Sequence, residues 1–128
     1  ISYLETILEA GLHTAVVSAS AHTATILERS GLAPLVECTV DGNVMIEQHL
    51  RSKPAPDTLV AACRRLGVAP DHAAAFETTA AGVDAARAAE FSVVVGIDQF
   101  GQAAALRAHG AAPVVPGLAE ILEERLAA

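Results

Sequence analysis

The sequence has no tryptophan, one tyrosine, three phenylalanines, one methionine and two cysteines in 128 residues. With aromatics at 3%, there is little surface on which nucleobases could stack. Basic residues are also scarce. Eight Lys and Arg stand against fifteen Asp and Glu, for a net charge of −7. They are scattered, and no basic face of the kind nucleic acid requires can be drawn from them. The acidic balance favours solubility and carries no information on fold. No apolar run reaches the ~18–20 residues that cross a bilayer. Neither nucleic acid nor membrane is therefore expected as a partner. The opening residues Ile1-Ser2-Tyr3-Leu4-Glu5 bring acid rather than base, so no signal peptide is read and a cytoplasmic location is expected. They also lack an initiator Met, which points to a piece of a longer parent. Cys38 and Cys63 are read as reduced and buried, because a chain with this much apolar content has no need of a staple.

What is present is apolar and fine-grained. The hydrophobic fraction is 52%, much of it alanine, which predicts thin helices packed on Val- and Ile-bearing strands. The length fits one domain, residues 1–128. Leu4, Ile7 and Leu8 recur at helical spacing before Gly11. Thr14 to Val17 reads as a strand, His22 to Arg29 as helix, and Leu35 to Val40 as strand with a hairpin-type turn at Asp41-Gly42. Pro54 and Pro56 open a helix running to about Leu66. Ala73 to Phe76 is a strand closed by Glu77, and Thr79 to Ala89 is helix. Phe91 to Ile97 is the most apolar strand, and its valine run predicts burial on both faces. Helix over 101–109, strand over 113–115 and helix over 118–126 complete the pattern. Strand followed by helix, repeated, predicts an α/β fold with a mostly parallel sheet. In such sheets chemistry gathers at the carboxyl ends of strands, where Ser18, Glu77 and Asp98 fall.

The one lysine, Lys53, lies in Arg51-Ser52-Lys53-Pro54-Ala55-Pro56-Asp57. An ammonium there suits a transferring phosphoryl group, and equally a solvated surface site. Ser18-Ala19-Ser20 offers a hydroxyl and free N–H groups to phosphate oxygens, though Ser20 or Thr23 as a plain helix cap fits the same letters. Glu77 suits Mg²⁺, and also a helix start. The five histidines make no zinc spacing. They read as surface or capping residues, with His22 set apart by its place after the Ser18 turn. Val40-Asp41-Gly42-Asn43-Val44 has Thr39 where an Asp-x-Asp-Gly phosphatase start would need its first Asp, and reads as a turn.

Taken together, these residues resemble the haloacid dehalogenase superfamily, and most closely its β-phosphoglucomutase-like branch, along essentially the whole chain. Val16-Val17-Ser18-Ala19-Ser20 resembles the second motif, Ser52-Lys53-Pro54-Ala55-Pro56-Asp57 the third, and Phe76-Glu77-Thr78-Thr79-Ala80-Ala81-Gly82-Val83 the fourth. The third is the most specific. The resemblance implies a three-layer Rossmann-like core, here without the cap domain. It implies Mg²⁺ as cofactor, with Glu77 and more weakly Thr78 as ligands. Lys53 and Ser18 would be catalytic, and Ser18, Ala19, Ser20, His22 and Lys53 would bind substrate. The substrate implied is a small phosphorylated molecule such as a sugar phosphate, and the activity that of a phosphatase or phosphomutase.

Three departures qualify this. The opening Asp-x-Asp-Gly motif, which supplies the nucleophile, is absent. Thr78 stands where a second acid is usual. Ala21-His22 replaces the polar pair expected after Ser-Ala-Ser. The strand of the missing motif lies mid-sheet in that family, so its neighbours are expected to face a gap of unpaired backbone. The segment alone is expected to be inactive, as the C-terminal part of a longer protein. A degenerate domain that binds a phosphorylated ligand or braces a neighbouring domain is the rival reading. A receiver-like signalling domain fits less well, because more helices follow Lys53 than that fold provides. An uncovered sheet edge would favour homo-oligomers.

Overall fold

The computed structural model describes residues 2–117. Along them run α1 (Ser2–Glu9), β1 (Ala15–Val17), α2 (Thr23–Ser30), β2 (Cys38–Val40), α3 (Gly42–Glu47) and α4 (Asp57–Leu66). There follow β3 (Ala74–Glu77), α5 (Ala80–Ala88), β4 (Val93–Ile97), α6 (Ala103–His109) and β5 (Val114–Val115). Every strand pair is parallel, as the alternation of strand and helix requires. The helix expected over 118–126 lies outside the described residues.

Three expectations are corrected. Asp41-Gly42 is not a hairpin turn. A parallel pair leaves no place for one, and Asp41 instead caps α3, its Oδ1 accepting from the Val44 N–H at 3.0 Å. Asp is as good an N-cap as a turn former, and the sequence signal does not separate the two. Gly42 is needed for closeness. A Cβ there would collide with the Ala19 carbonyl oxygen, and the Gly42 N–H donates to the Ser20 carbonyl at 3.2 Å. The strand expected from Leu35 begins only at Cys38, because Pro34 sits in a 3-10 turn, Ala33–Leu35. The valine run of β4 is buried at Val94 and Val95, but Val93 at the strand's entry is 43% exposed.

The strands form two sheets: β1 with β2, and β3 with β4 and β5 in the order β3-β4-β5. Helix α4 packs over β1 and β2, α5 over β3 and β4, and α6 over β4 and β5. Contacts of α4 with α5 and α5 with α6 join them in series. Leu59 of α4 enters the cluster of Ala75, Val83, Val94 and Leu106, while Ala61 and Ala62 pack with Val40 of the other sheet. Val17 touches both clusters. The two half-sheets are thus joined through side chains rather than through a ladder. The alanines at 61, 62, 75, 85, 86 and 111 are all buried, which lets helix backbones sit close. Cys38 is half-buried and Cys63 buried, both as free thiols, and burial pushes each thiol up from its ordinary value.

Candidate functional site

Lys53 is brought onto Glu77. Its Nζ donates to Glu77 Oε1 at 2.6 Å, with the lysine side chain 26% and the glutamate 9% exposed. A charge-assisted bond this short and this enclosed holds both groups in place. Glu77 is the last residue of β3, and Thr79 caps the following helix, its Oγ1 accepting from the Gly82 N–H at 3.0 Å. Gly82 leaves the space that the carboxylate fills. A Cβ there would run into Glu77 Oε1 and approach its Cδ to 2.9 Å.

The loop carrying Lys53 is clasped at its ends. The Arg51 guanidinium donates to both carboxylate oxygens of Asp57, at 3.0 and 2.9 Å, and the Arg51 backbone N–H adds a third bond at 2.9 Å. Asp57 opens α4, where a negative charge suits the helix dipole. The Lys53–Pro54 peptide is cis. Sequence reasoning passed over this clasp. Its signal is an Arg and an Asp on either side of the two prolines.

Arg51's side-chain hydrogen bonds are the main cause that lowers the Asp57 carboxyl from 3.8 to about 2. A folded value below the unfolded one means that protons favour the unfolded chain. The clasp therefore contributes fully above about pH 4 and is lost as pH falls toward 2. A carboxyl-carbon NMR titration should place the Asp57 midpoint near 2, and Arg51→Ala should move it upward but not fully to 3.8, because the backbone N–H of residue 51 still donates to the carboxylate. An unmoved midpoint in the variant would refute this role for Arg51.

The serine turn follows β1. Ser18 N–H donates to the Val40 carbonyl at 2.9 Å, and Ser18 Oγ accepts from the Ser20 N–H at 3.3 Å. Ser20 Oγ accepts from the His22 N–H at 3.0 Å, and Thr23 Oγ1 donates to the Ser20 carbonyl at 2.8 Å. Ser20 thus stabilises the turn, but neither it nor Thr23 is the helix cap of the plainer reading: α2 starts at Thr23 with His22 as N-cap and no side-chain cap bond. Ala19 and the His22 side chain are exposed. Lys53, Glu77 and Thr78 line one cavity together with Val17, the residue before Ser18. Ser18, Ala19, Ser20 and His22 lie on the adjoining loop, and no hydrogen bond joins them to Lys53 among the described residues.

Asp98, the third strand-end candidate, is spent on structure. Its Oδ1 accepts from the Gln102 N–H at 2.6 Å. Among the described residues no group of three or more His, Cys, Asp or Glu is placed to hold a metal ion. One carboxylate already engaged by Lys53, with a neutral Thr78 beside it, falls short of the oxygen set that Mg²⁺ takes. These residues do not by themselves make the expected Mg²⁺ site. No helix of the described residues is long and apolar enough to cross a membrane.

The family model for haloacid dehalogenase-like hydrolases matches residues 2–90, a span that includes Ser18, Lys53 and Glu77. The chain belongs to the haloacid dehalogenase-like hydrolase family. Within it, a β-phosphoglucomutase of Mycobacterium bovis is 51% identical over 123 residues, covering 94% of this chain and 47% of that protein. A trehalose-phosphate phosphatase of Mycobacterium leprae is 34% identical over 116 residues, covering 88% of this chain and 25% of its own length. Among solved structures, a haloacid dehalogenase family hydrolase from Deinococcus radiodurans, with bound phosphate and sodium, superposes with a TM-score of 0.81 at 29% identity. That match covers 94% of this chain and 54% of the other. A β-phosphoglucomutase from Clostridium difficile shares the fold, with a TM-score of 0.81 at 23% identity over 96% of this chain and 52% of that one. The chain spans about half the length of the β-phosphoglucomutases it matches.

Proposed function

We propose that this chain is the phosphate-handling part of a haloacid dehalogenase-type phosphatase or phosphomutase acting on a sugar phosphate. The observation that carries the reading is the Lys53–Glu77 pair, held at 2.6 Å at the carboxyl end of β3. In this reading Ser18 Oγ, the Ala19 N–H and Lys53 Nζ bind phosphoryl oxygens. An ammonium has three donors, so Lys53 can keep Glu77 while engaging a substrate oxygen. Ser20 and His22 face the substrate side, and Lys53 offsets charge as the phosphoryl group transfers. The names of the relatives, a β-phosphoglucomutase and a trehalose-phosphate phosphatase, favour a phosphorylated sugar as the small-molecule partner.

The attacking group is assigned outside these residues. Asp41 caps α3, Asp57 is bound to Arg51, and Glu77 to Lys53, so each acid of these motifs already has a partner. Glu77 would bring one carboxylate to a Mg²⁺ completed by donors from elsewhere, with Thr78 adding little; no step is routed through that ion. Cytoplasmic location belongs to the same reading.

Thr78 favours a second reading. A domain that kept the fold and lost an acidic ligand would bind a phosphorylated ligand, or brace a neighbouring domain, without turnover.

The test is Mg²⁺-dependent phosphate release by the purified chain on hexose and disaccharide phosphates, with Lys53→Ala as control. No release above the control is expected. Release that needs both Mg²⁺ and Lys53 would overturn the assignment of the nucleophile to residues outside the chain.

A further inference from the structure

Helix α4 serves two cavities with two different faces. Leu59, Ala62, Cys63 and Leu66 line the cavity that holds Lys53 and Glu77. Val60, Ala61, Arg64 and Arg65 line another, of about 320 Å³. Its opposite wall is Gln48 and Leu50, from the segment that ends α3, and Pro56 and Asp57 close it at the start of α4. The two cavities share no lining residue. The volume lies at the small end of the range for ligand sites.

This second groove carries unspent positive charge in an acidic chain. Its one acid, Asp57, has both carboxylate oxygens engaged by the Arg51 guanidinium. Toward the other end of α4, Arg64 and Arg65 stand side by side. No acid lies three or four residues from either, because those positions are Val60, Ala61, Ala62, Gly67, Val68 and Ala69. The pairing that commonly occupies a helical arginine is therefore not available. Arg64 has no hydrogen bond or ion pair among the described residues. Arg65 Nη1 donates to the Thr39 carbonyl at 2.7 Å, which pins its guanidinium against β2 and leaves its remaining donors over. Cations near a helix carboxyl end offset the dipole, but that needs no pinning and no groove. Two like charges on neighbouring residues repel, and an anion shared by them offsets that repulsion. The floor between the ends is Leu50, Pro56, Val60 and Ala61, with no polar side chain.

We propose that this groove is a separate binding site for a small organic carboxylate with an apolar body. The body lies on Leu50, Pro56 and Val60, and the carboxylate meets Arg64 and Arg65. A guanidinium takes a carboxylate by two parallel bonds, which suits a flat anion better than a point charge would. The Gln48 amide can add one donor at the rim. A phosphorylated sugar does not suit this floor, which offers its hydroxyls no partner. The site therefore takes a ligand of another class than the Lys53 cavity, and the proposal stands or falls apart from the phosphoryl-transfer reading.

The probe is 2-naphthoate, titrated into the full chain and followed by backbone amide NMR shifts. Saturating shifts are expected at Leu50, Val60, Arg64 and Arg65. Naphthalene-2-methanol has the same body without the charge, and acetate has the charge without the body. Each should bind at least about tenfold more weakly. Arg64→Gln removes an exposed guanidinium that bonds nothing else, so the fold should be kept and 2-naphthoate should bind roughly five- to tenfold more weakly. Arg29→Gln removes an exposed arginine from the last turn of α2, outside the groove, and should bind like the native chain. Shifts that do not saturate, an alcohol that binds as well as the acid, or shifts centred on the residues around Lys53 would each overturn the proposal. So would an Arg29→Gln chain weakened as much as Arg64→Gln. The three probes on the native chain decide the matter even if a variant misfolds. Phosphate release plays no part in this experiment, so failure here leaves the phosphoryl-transfer reading to its own assay.

Discussion

Replacing Lys53 by Met is expected to lower the stability of the fold by roughly 3 kcal/mol, the scale for a buried charge left without its partner. Glu77 is only 9% exposed, at the carboxyl end of β3. Remove Nζ, and a carboxylate stays in a mostly apolar pocket without its 2.6 Å donor. The reverse change should cost less. Lys53 is 26% exposed, and its long stem lets the ammonium reach solvent when Glu77 becomes Gln. The double variant Lys53→Met/Glu77→Gln should therefore recover most of the loss, because no unpaired charge remains buried. Urea unfolding of the four proteins at neutral pH gives the cycle. Additive single effects would show that the pair is not coupled, and would remove the structural ground for placing a phosphate-binding cation there.

This asymmetry explains why Lys53 was legible in the sequence and its surroundings were not. A single lysine between a strand-end hydroxyl and a strand-end acid stands out because composition makes it rare. Its partner Glu77 is marked by position, at the close of an apolar strand. The α/β class followed from the alternation of short apolar runs with alanine-rich helical stretches, and the parallel pairing followed from that. What the letters did not reveal are contacts made by backbone. Asp41-Gly42 has the composition of a turn, yet whether Asp41 Oδ1 meets the N–H of a hairpin or of a helix depends on the strand direction that tertiary packing sets. The start of β2 was misplaced because apolar letters run on through the 3-10 turn at Pro34. The Arg51–Asp57 clasp was missed for another reason: opposite charges six residues apart meet only when the loop between them doubles back. Family resemblance located Ser18, Ala19, Ser20 and His22 on one loop. The structure keeps them there, with Ser20 committed to the turn itself.

The second large effect is a change of sign at Gly82. In the third position of a helix with ordinary backbone, Gly→Ala normally stabilises by about 0.8–1 kcal/mol. Here the added methyl would enter the space of the Glu77 carboxylate and approach its Cβ to 3.2 Å as well as its Cδ. The carboxylate cannot swing aside without leaving Lys53, so the gain in helix propensity is set against a broken ion pair in an enclosed site. Overpacking of this kind costs about 1–3 kcal/mol, more than the propensity returns. Gly82→Ala is thus expected to destabilise the native chain by up to about 2 kcal/mol, taking the difference of those ranges. In a Glu77→Ala background the obstruction is gone, and the same substitution should stabilise by close to 1 kcal/mol. A sign that stays the same in both backgrounds would mean that Gly82 is small for some reason other than Glu77. A reversal, read from four unfolding curves, would identify Gly82 as the residue that sets where the Glu77 carboxylate sits, and through it the position of Lys53.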